Sequence, residues 1–318
     1  MILIAEDVWG PAFIELAKSH EVVQDPELWK NLDDLKENLS DATALVVRNR
    51  TQVTAELLAS ASNLKIVARA GVGLDNIDIK SADALGIVVA AGLGANAQSV
   101  GELTVGLALS LLRNISYADS ETKSGNWNRT AGGELSGRTW GLLGCGATGI
   151  ATARLLAGFN INFLGFDPFV KNSDPKIIGL PITMGSLEDA LNNADIVSIH
   201  MPSTPDTNNL INASRIAAMK RGALIINVGR GEVIVESDLV AALRSGQIAG
   251  AALDVRSSEP PTPGVLETLP NVILTPHIAG ITKESQAKIN QILTSNIELV
   301  LSGKPATHAV GSHKEPRR

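Results

Sequence analysis

The sequence predicts an α/β protein built from two doubly wound, parallel-sheet domains. Short apolar runs of strand length alternate with stretches of helical periodicity along most of the chain, and this alternation is typical of parallel sheets joined by crossover helices. Glycine-rich turns follow several of the apolar runs. At 318 residues the chain is long enough for two domains, each with its own core.

Composition excludes several classes of protein. A net charge of −6 and a pI near 5.5 give no reason to expect a nucleic-acid partner. Cys145 is the single cysteine, so no internal disulfide can form and a reducing cytosol is favoured. The N-terminus reaches Glu6 and Asp7 without a basic start, unlike a signal peptide, and the apolar run at 103–112 is too short to span a bilayer. We expect a soluble, cytoplasmic protein with no membrane partner and no metal site.

The first domain is predicted to comprise residues 1–93 and to be completed by residues 283–318, because a final helix over 283–301 returns to it. The polar residues 311–318 are expected to be disordered. Apolar runs predict strands at 2–5, 21–23, 44–48, 65–69 and 87–90. Helical periodicity predicts helices at 11–19, 32–39, 54–59 and 79–85.

Polar groups follow two strands of this domain, where ligands bind in open α/β sheets. Arg48 and Arg50 stand at the end of one strand, and the turn Gly71-Val72-Gly73 follows Arg69. The backbone N–H groups of that turn are suited to hold a carboxylate, although an ordinary tight turn would have the same sequence. For the two arginines the alternative is a solvated strand end with surface ion pairs.

A helix beginning at Gln98 or Ser99 leads into the second domain, residues 94–282, and Asn96 just before it is a candidate to face a ligand. Residues 114–137 have weak periodicity and carry Trp127 in polar surroundings. An exposed tryptophan on a long excursion usually packs against something. This region therefore predicts a contact with a partner subunit.

A strand, a glycine turn, a helix and a second strand ending in Asp167 follow one another in residues 139–167. This order is typical of a dinucleotide-binding unit, a merely structural βαβ unit being the alternative. Gly144 would allow the tight turn, Gly146 the approach of a pyrophosphate, and Gly149 the packing of the helix on its strand. The helix start offers N–H groups to phosphates. The Asp167 carboxylate suits ribose hydroxyls and repels a 2′-phosphate, which favours NAD over NADP.

Three polar residues, Arg230, Glu259 and His277, each follow an apolar strand of the second domain. Singly, they are equally well a loop cation, a turn acid and a core histidine. Together they suit oxidation of a 2-hydroxy acid, because histidine can exchange a proton near neutral pH, a carboxylate fixes its tautomer, and arginine binds a carboxylate through two parallel hydrogen bonds. Strands are predicted here at 195–200, 223–228, 249–255 and 272–275, with helices at 214–220 and 237–244.

With these motifs the chain resembles the D-isomer-specific 2-hydroxyacid dehydrogenase family. The resemblance covers nearly the whole chain and rests on the glycine motif at 144–149 and on segments 69–76, 96–102, 227–231, 254–260 and 275–277. It implies a flavodoxin-like substrate domain and a Rossmann NAD domain, with a cleft between them that closes on cofactor and substrate. It also implies that Arg230, Glu259 and His277 are the catalytic set, with His277 as acid and base, and that the protein is a homodimer built on the NAD domain.

The resemblance assigns binding residues as well. Those implied to contact substrate are Arg48, Arg50, Arg69, Gly71, Val72, Gly73 and Asn96. Those implied to contact the cofactor are Gly144, Gly146, Ala147, Thr148, Gly149, Asp167, Pro168, His200, Pro202, Val228, Gly229, Asp254 and Gly280.

Within the family, Arg48-Asn49-Arg50-Thr51 is similar to the substrate loop of 3-phosphoglycerate dehydrogenases, where basic residues meet a distal phosphate. The regulatory domain of some of those enzymes is expected to be absent. Two positions depart from the family: Thr148 replaces a usual apolar residue, and Arg256 replaces a common aromatic, which puts a cation of unassigned role near Glu259. Cys145 is expected to be a small filler of the turn, a reactive thiol at a helix N-terminus being the alternative.

The leading prediction is NAD-dependent oxidation of a (2R)-2-hydroxy acid, with 3-phosphoglycerate as substrate, in serine biosynthesis. Alternatives in the same class are a hydroxypyruvate or glyoxylate reductase and a dehydrogenase of another dianionic hydroxy acid such as sulfolactate, because a sulfonate would satisfy Arg48 and Arg50 as a phosphate does. The alternative from another class is an NAD(H)-sensing protein similar to the corepressors of this fold. Measured turnover would dismiss it.

Overall fold

The computed structural model describes residues 1–315 and 317, which form two compact α/β units. The first unit contains Met1–Asn96 and the chain from Ile281 onward, and the second contains Ala97–Gly280. Each unit has a sheet of mainly parallel strands covered by helices on both faces. The predicted fold class, with two parallel-sheet domains, is confirmed.

The strands are numbered in chain order. They are β1 (Ile2–Ile4), β2 (Val22–Gln24), β3 (Ala44–Val47), β4 (Ile66–Arg69), β5 (Val88–Ala91), β6 (Thr139–Leu143), β7 (Asn162–Phe166), β8 (Ile182–Met184), β9 (Ile196–Ile199), β10 (Ala223–Asn227), β11 (Ile248–Leu253), β12 (Val272–Leu274) and β13 (Ala309–Val310).

The α-helices are numbered in the same way, and short 3₁₀ turns lie among them. They are α1 (Pro11–Leu16), α2 (Leu32–Leu39), α3 (Ala55–Ser60), α4 (Ile79–Ala84), α5 (Ala97–Leu112), α6 (Ile115–Lys123), α7 (Ala147–Leu155), α8 (Leu187–Asn192), α9 (Ala213–Ala218), α10 (Glu236–Ser245) and α11 (Lys283–Leu301).

In the first unit the strand order is β13-β5-β4-β3-β1-β2, and β13 runs antiparallel to β5 while the other pairs are parallel. β3 is buried at every position, as expected for a strand covered on both faces. Helix α11 is capped by Thr282, whose side chain accepts the N–H of Ser285 at 3.1 Å. Its apolar face, with Ile289, Leu293 and Ile297, packs into the core of this sheet.

In the second unit the strand order is β12-β11-β10-β9-β6-β7-β8, and every pair is parallel. The order reverses beside β6, which places the loops after β6 and β9 at the switch point of a doubly wound sheet. Gly101 of α5 lets that helix approach α7 closely, because a Cβ there would lie 3.1 Å from the backbone nitrogen of Thr152.

The sequence did not predict β8, α8, α6 or β13. The expectation of disorder over residues 311–318 is also wrong for the described part of that segment. The Asp83 carboxylate accepts the N–H groups of Ser312 and His313 at 2.9 and 3.1 Å, and the Arg317 guanidinium donates to the carbonyl of Ala61 at 2.6 Å. Residues 316 and 318 of the same prediction lie outside the described residues.

Candidate active site

The second unit gathers its polar candidates at one edge of its sheet. Strands β6, β7 and β9–β12 are parallel, so the loops that follow them share the carboxyl edge. The catalytic and cofactor candidates of the sequence lie in these loops or in the first turn of α7: Gly144, Gly146, Ala147, Thr148, Gly149, Asp167, Pro168, His200, Pro202, Val228, Gly229, Arg230, Asp254, Glu259, His277 and Gly280.

The glycine turn after β6 has the geometry that its three glycines suggested. Gly144 has a φ of +94°, which L side chains rarely adopt. A Cβ on Gly149 would lie 2.1 Å from the carbonyl oxygen of Gly144, so α7 packs directly on the turn. A Cβ on Gly146 would meet nothing within 4 Å, so the backbone is open there. That open loop, with the first N–H groups of α7 beside it, fits a pyrophosphate.

Asp167 ties the glycine turn to the loop after β7. Its Oδ2 accepts the N–H of Cys145 and its Oδ1 accepts the N–H of Phe169, both at 2.9 Å. A carboxylate offers about four acceptor positions, so these two bonds leave room for ribose hydroxyls. Burial, with the nearby Asp167 charge, raises the pKa of Cys145 to about 12. The thiol is therefore protonated, which favours the filler role over the reactive one.

His277 and Glu259 form a close pair. The ring Nδ1 of His277 lies 2.6 Å from Oε2 of Glu259, and the two side chains are 48% and 37% exposed. Burial acts to raise the pKa of Glu259, but the bond from His277, the Arg256 N–H and the charges of His277 and Arg230 hold it below its ordinary value. Glu259 is thus ionised at neutral pH and accepts the Nδ1–H of His277. Glu259 and His277 are therefore in direct contact, and Arg230 lies near enough for its charge to act on Glu259.

A buried carboxylate shapes the loop that carries His277. Asp254 is 1% exposed, and it accepts the Thr275 hydroxyl at 2.6 Å, the Ile278 N–H at 2.9 Å and the Ala279 N–H at 2.8 Å. The backbone N–H of His277 donates to the backbone carbonyl of Asp254 at 2.8 Å. Asp254 therefore holds the loop of His277, a role that the sequence did not show. Its predicted contact with the cofactor stays a prediction.

Asn227 holds the loop of Arg230, as Asp254 holds the loop of His277. Its side chain is 1% exposed, donates to the carbonyl of Arg230 at 2.9 Å and accepts the N–H of Gly229 at 3.1 Å. The Arg230 guanidinium donates to the carbonyl of Gly229 at 2.9 Å. Asn227 stood in the sequence motif, but only the structure shows that it closes this loop.

His200 follows β9 and belongs to a buried polar chain. The indole N–H of Trp140 donates to the hydroxyl of Ser198 at 2.8 Å, and that hydroxyl lies 3.0 Å from Nε2 of His200. Burial lowers the pKa of His200 to about 3. The ring is therefore neutral near pH 7, which suits packing against a ligand and argues against acid and base catalysis at this position.

In the first unit, the loop Arg48–Thr51 is organised by Glu6, which the sequence did not single out. Glu6 is 2% exposed, and its carboxylate accepts the N–H groups of residues 48, 49, 50 and 51 at 2.8 to 3.3 Å. Asn76 donates to the carbonyls of Arg48 and Thr51 at 3.2 and 2.7 Å. The loop that carries the two arginines is thus held through its N–H groups by Glu6 and through its carbonyls by Asn76.

The two arginines differ in their surroundings. The Arg50 guanidinium lies 5.0 Å from the centre of the Trp29 ring, a cation–π contact. Arg48 is half-buried, and within the described residues its guanidinium makes no hydrogen bond. Both guanidinium groups therefore keep N–H donors for a ligand anion, because a cation–π contact uses the face of the guanidinium and not its in-plane donors.

The loop after β4 lies beside the arginine loop, because β3 and β4 are paired. The Arg69 guanidinium passes over Gly71, where a Cβ would lie 1.4 Å from it. Among residues 1–315 and 317 no acceptor is found for the N–H groups of Val72 and Gly73, so both can meet an anion. Asn96, 9% exposed, ends the first unit.

Residues 113–134 form an exposed excursion. Helix α6 has no buried residue among those described, and Ile115, Tyr117 and Trp127 are exposed by 52%, 46% and 80%.

Within residues 1–315 and 317, no cluster of His, Cys, Asp and Glu could hold a metal ion. Likewise, no helix of residues 1–315 has the length and apolar character to cross a membrane.

The chain is similar to several known proteins. The model of the family "D-isomer specific 2-hydroxyacid dehydrogenase, NAD binding domain" matches residues 105–279. A D-3-phosphoglycerate dehydrogenase of Methanocaldococcus jannaschii is 38% identical over 98% of this chain and 60% of the relative. A hydroxypyruvate reductase of Thermotoga maritima is 39% identical over 83% of this chain and 87% of the relative. The holo structure of Rhodotorula graminis D-mandelate dehydrogenase, 27% identical, covers 99% of both chains with a TM-score of 0.91.

These relatives differ in length. The chain spans about 60% of the phosphoglycerate dehydrogenases of M. jannaschii and Archaeoglobus fulgidus, but most of the T. maritima reductase.

Proposed function

Because the chain belongs to the D-isomer-specific 2-hydroxyacid dehydrogenase family and carries its NAD-binding domain, we propose that it oxidises a (2R)-2-hydroxy acid to the 2-oxo acid. The observation that carries the proposal is the His277–Glu259 pair at 2.6 Å, with the Arg230 charge beside it. Measured turnover of a 2-hydroxy acid would separate this enzyme from a protein that only senses NAD(H).

The roles of the three residues follow from the ionised state of Glu259. With Nδ1–H donated to Glu259, the basic nitrogen of His277 is Nε2, and it takes the proton of the substrate hydroxyl. The Glu259 carboxylate then stabilises the imidazolium. The Arg230 guanidinium binds the substrate carboxylate and orients the carbon that loses hydride. In the reverse direction the same imidazolium returns the proton.

NAD, when bound, accepts the hydride. The open backbone at Gly146 and the N–H groups at the start of α7, from Ala147 and Thr148, would hold its pyrophosphate. Asp167 would hold the adenosine ribose, and its charge supports a preference for NAD over NADP. Val228, Gly229 and Gly280 lie at the same edge of the sheet and complete the proposed cofactor contacts, with His200, Pro202 and Pro168.

For the substrate we propose 3-phosphoglycerate, which would place the reaction in serine biosynthesis. The phosphoglycerate dehydrogenase of M. jannaschii, similar over 98% of this chain, supports this choice. So does the half-buried Arg48, a cation for the phosphate, with the N–H groups of Val72 and Gly73 for a carboxylate. Arg50 and Arg69 would add charge beside them.

A second candidate is reduction of hydroxypyruvate or glyoxylate, which need no second anionic site. The T. maritima reductase supports it, because this chain covers 87% of that relative.

The substrate is tested with purified protein and a panel of acids. 3-Phosphoglycerate, sulfolactate and glycerate are offered with NAD, and hydroxypyruvate and glyoxylate with NADH. We expect the highest kcat/KM for 3-phosphoglycerate, and a selective loss of that value in Arg48→Met but not in the control Lys18→Met, which cuts only a surface pair with Glu15. Better turnover of glycerate than of every dianion would refute the phosphate site.

We also propose a cytoplasmic homodimer that buries residues 114–137. The exposed apolar side chains of Ile115, Tyr117 and Trp127 support this assembly. Light scattering after gel filtration should give the mass of a dimer, and Trp127→Asp should shift it toward the monomer. A monomeric wild-type protein at micromolar concentration would refute the proposal.

A further inference from the structure

Arg256 is an internal cation with two carboxylate partners. Its Nε and one terminal nitrogen donate to the two oxygens of Glu236 at 3.0 and 2.9 Å, and its other terminal nitrogen donates to Glu267 at 2.6 Å. The side chain is 10% exposed. Each of the three guanidinium nitrogens thus donates to a protein carboxylate, and the side chain is nearly buried, so this cation does not face a substrate.

The charges of this group are fixed at neutral pH. The hydrogen bonds to Glu236, and then those to Glu267, raise the pKa of Arg256. Arg256 and the Gly264 N–H lower the pKa of Glu267 to about 2. Two ionised carboxylates on one guanidinium make charge-assisted, planar bonds, which a lysine or a neutral side chain cannot reproduce.

The group joins segments that are distant in sequence. Glu236 is the first residue of α10 and follows the loop of Arg230. At the start of that loop's 3₁₀ turn, Gly231 touches the backbone of Arg256 so closely that a Cβ would lie 1.9 Å from the Arg256 carbonyl carbon. Glu236 also accepts the N–H of Ser257 at 2.9 Å, and Glu267 accepts the N–H of Gly264 at 2.7 Å.

Glu259 lies inside the loop that is held in this way. The Arg256 N–H donates to Oε1 of Glu259 at 3.1 Å, and the other oxygen of Glu259 accepts from His277. Any movement of the Arg256 backbone therefore displaces the carboxylate that orients the imidazole. We propose that Arg256, through Glu236 and Glu267, is a positioning residue that keeps Glu259 in register with His277 and with the Arg230 loop.

This proposal rests on the proposed function for its kinetic consequences. Misplacement of a catalytic group by about 1 Å can cost about 100-fold in rate. Because Arg256 acts through Glu259, its loss should lower kcat without a change in the affinity for NAD or in the KM for substrate. The same dependence makes the two positions energetically coupled.

The kinetic experiment is a double-mutant cycle of Arg256→Met and Glu259→Gln. We expect Arg256→Met to lower kcat by about 100-fold, Arg256→Lys to recover part of that loss, and Arg256→Met to add little in the Glu259→Gln protein. The control Lys220→Met, which cuts a surface pair with Asp195 in the same unit, should keep the wild-type kcat. An unchanged kcat in Arg256→Met, or fully additive losses, would overturn the proposal.

A structural readout separates this proposal from the proposed function. In a crystal structure of Arg256→Met the distance from His277 Nδ1 to Glu259 Oε2 should exceed the 2.6 Å of the parent chain, and an unchanged distance would overturn the positioning role. Failure to turn over any 2-hydroxy acid would sink the proposed function alone. Should Arg256→Met not fold, Glu267→Gln removes one arm only, and the same distance and the same coupling to Glu259→Gln are measured.

Discussion

The ring Nδ1 of His277 lies 2.6 Å from Oε2 of Glu259, so the carboxylate selects the tautomer that leaves Nε2 basic. His277→Ala should lower kcat by roughly 10²- to 10⁴-fold, the usual contribution of a general acid and base. Binding of NADH, followed by its fluorescence, should be unchanged because the imidazole serves proton transfer. His20→Ala, in the first unit, is the matched control. Full turnover with weakened NADH binding would contradict the assignment.

Asp167→Ala should weaken NAD binding and reduce discrimination against NADP. The substitution removes the charge that repels a 2′-phosphate, and it also releases the N–H groups of Cys145 and Phe169. The ratio of the two dissociation constants isolates the charge effect from the loss of order in the turn. Asp174→Ala, which removes a comparable cap on the N–H of Lys176, is the control. An unchanged ratio would show that Asp167 does not meet the ribose.

Glu6→Gln should loosen the loop of Arg48 and Arg50. An amide NH₂ would replace one of the two oxygens that accept the four backbone N–H groups, and an unsatisfied buried donor costs about 1–3 kcal/mol. We expect a higher KM for dianionic substrates, a similar kcat, and faster hydrogen exchange at residues 48–51. The surface variant Glu15→Gln should change none of these. A wild-type KM with unaltered exchange would refute the role of Glu6.

His200 should make the apo protein less stable in acid. Burial keeps the pKa of His200 in the folded protein at about 3, below its ordinary value of 6.5, so the unfolded chain binds the extra proton between these values. Stability contributed by the neutral ring is present above pH 6.5 and is lost as the pH falls toward 3. His200→Asn should therefore show a smaller fall in Tm between pH 7.5 and 5 than the wild type. Equal slopes would mean that the ring can take up a proton in the folded state.

Much of the fold follows from local pattern. The final helix predicted at 283–301 has the bounds of α11, and the structure shows that Thr282 caps its start and that its apolar stripe packs on the sheet. By contrast, β13 has two residues, too few to show a period, and in β8 the exposed Thr183 separates Ile182 from Met184, so no apolar run marks the strand. Helix α6 has no buried face within the described residues and so gives no apolar stripe.

The candidate site also has residues that the sequence predicts and residues whose roles only the structure shows. The positions of Arg230, Glu259 and His277 after strands follow from the sequence, because parallel strands end at one edge. The partners of Arg256 do not, since Glu236 and Glu267 lie 20 and 11 residues away and are ordinary surface acids by sequence. The sequence likewise gives no sign of the role of Glu6, because the four N–H groups that its carboxylate accepts lie 42 to 45 residues further along the chain. Their roles depend on tertiary placement, which no local pattern encodes.

His277 has a φ of +54°, a left-handed backbone that most side chains avoid at a cost of about 1–2 kcal/mol. Glycine would adopt the same conformation without that cost. Glycine at position 277 would therefore give the loop a less strained backbone, but it would remove the imidazole. The chain therefore accepts a strained backbone at the position where the proposed reaction needs a group that carries the proton.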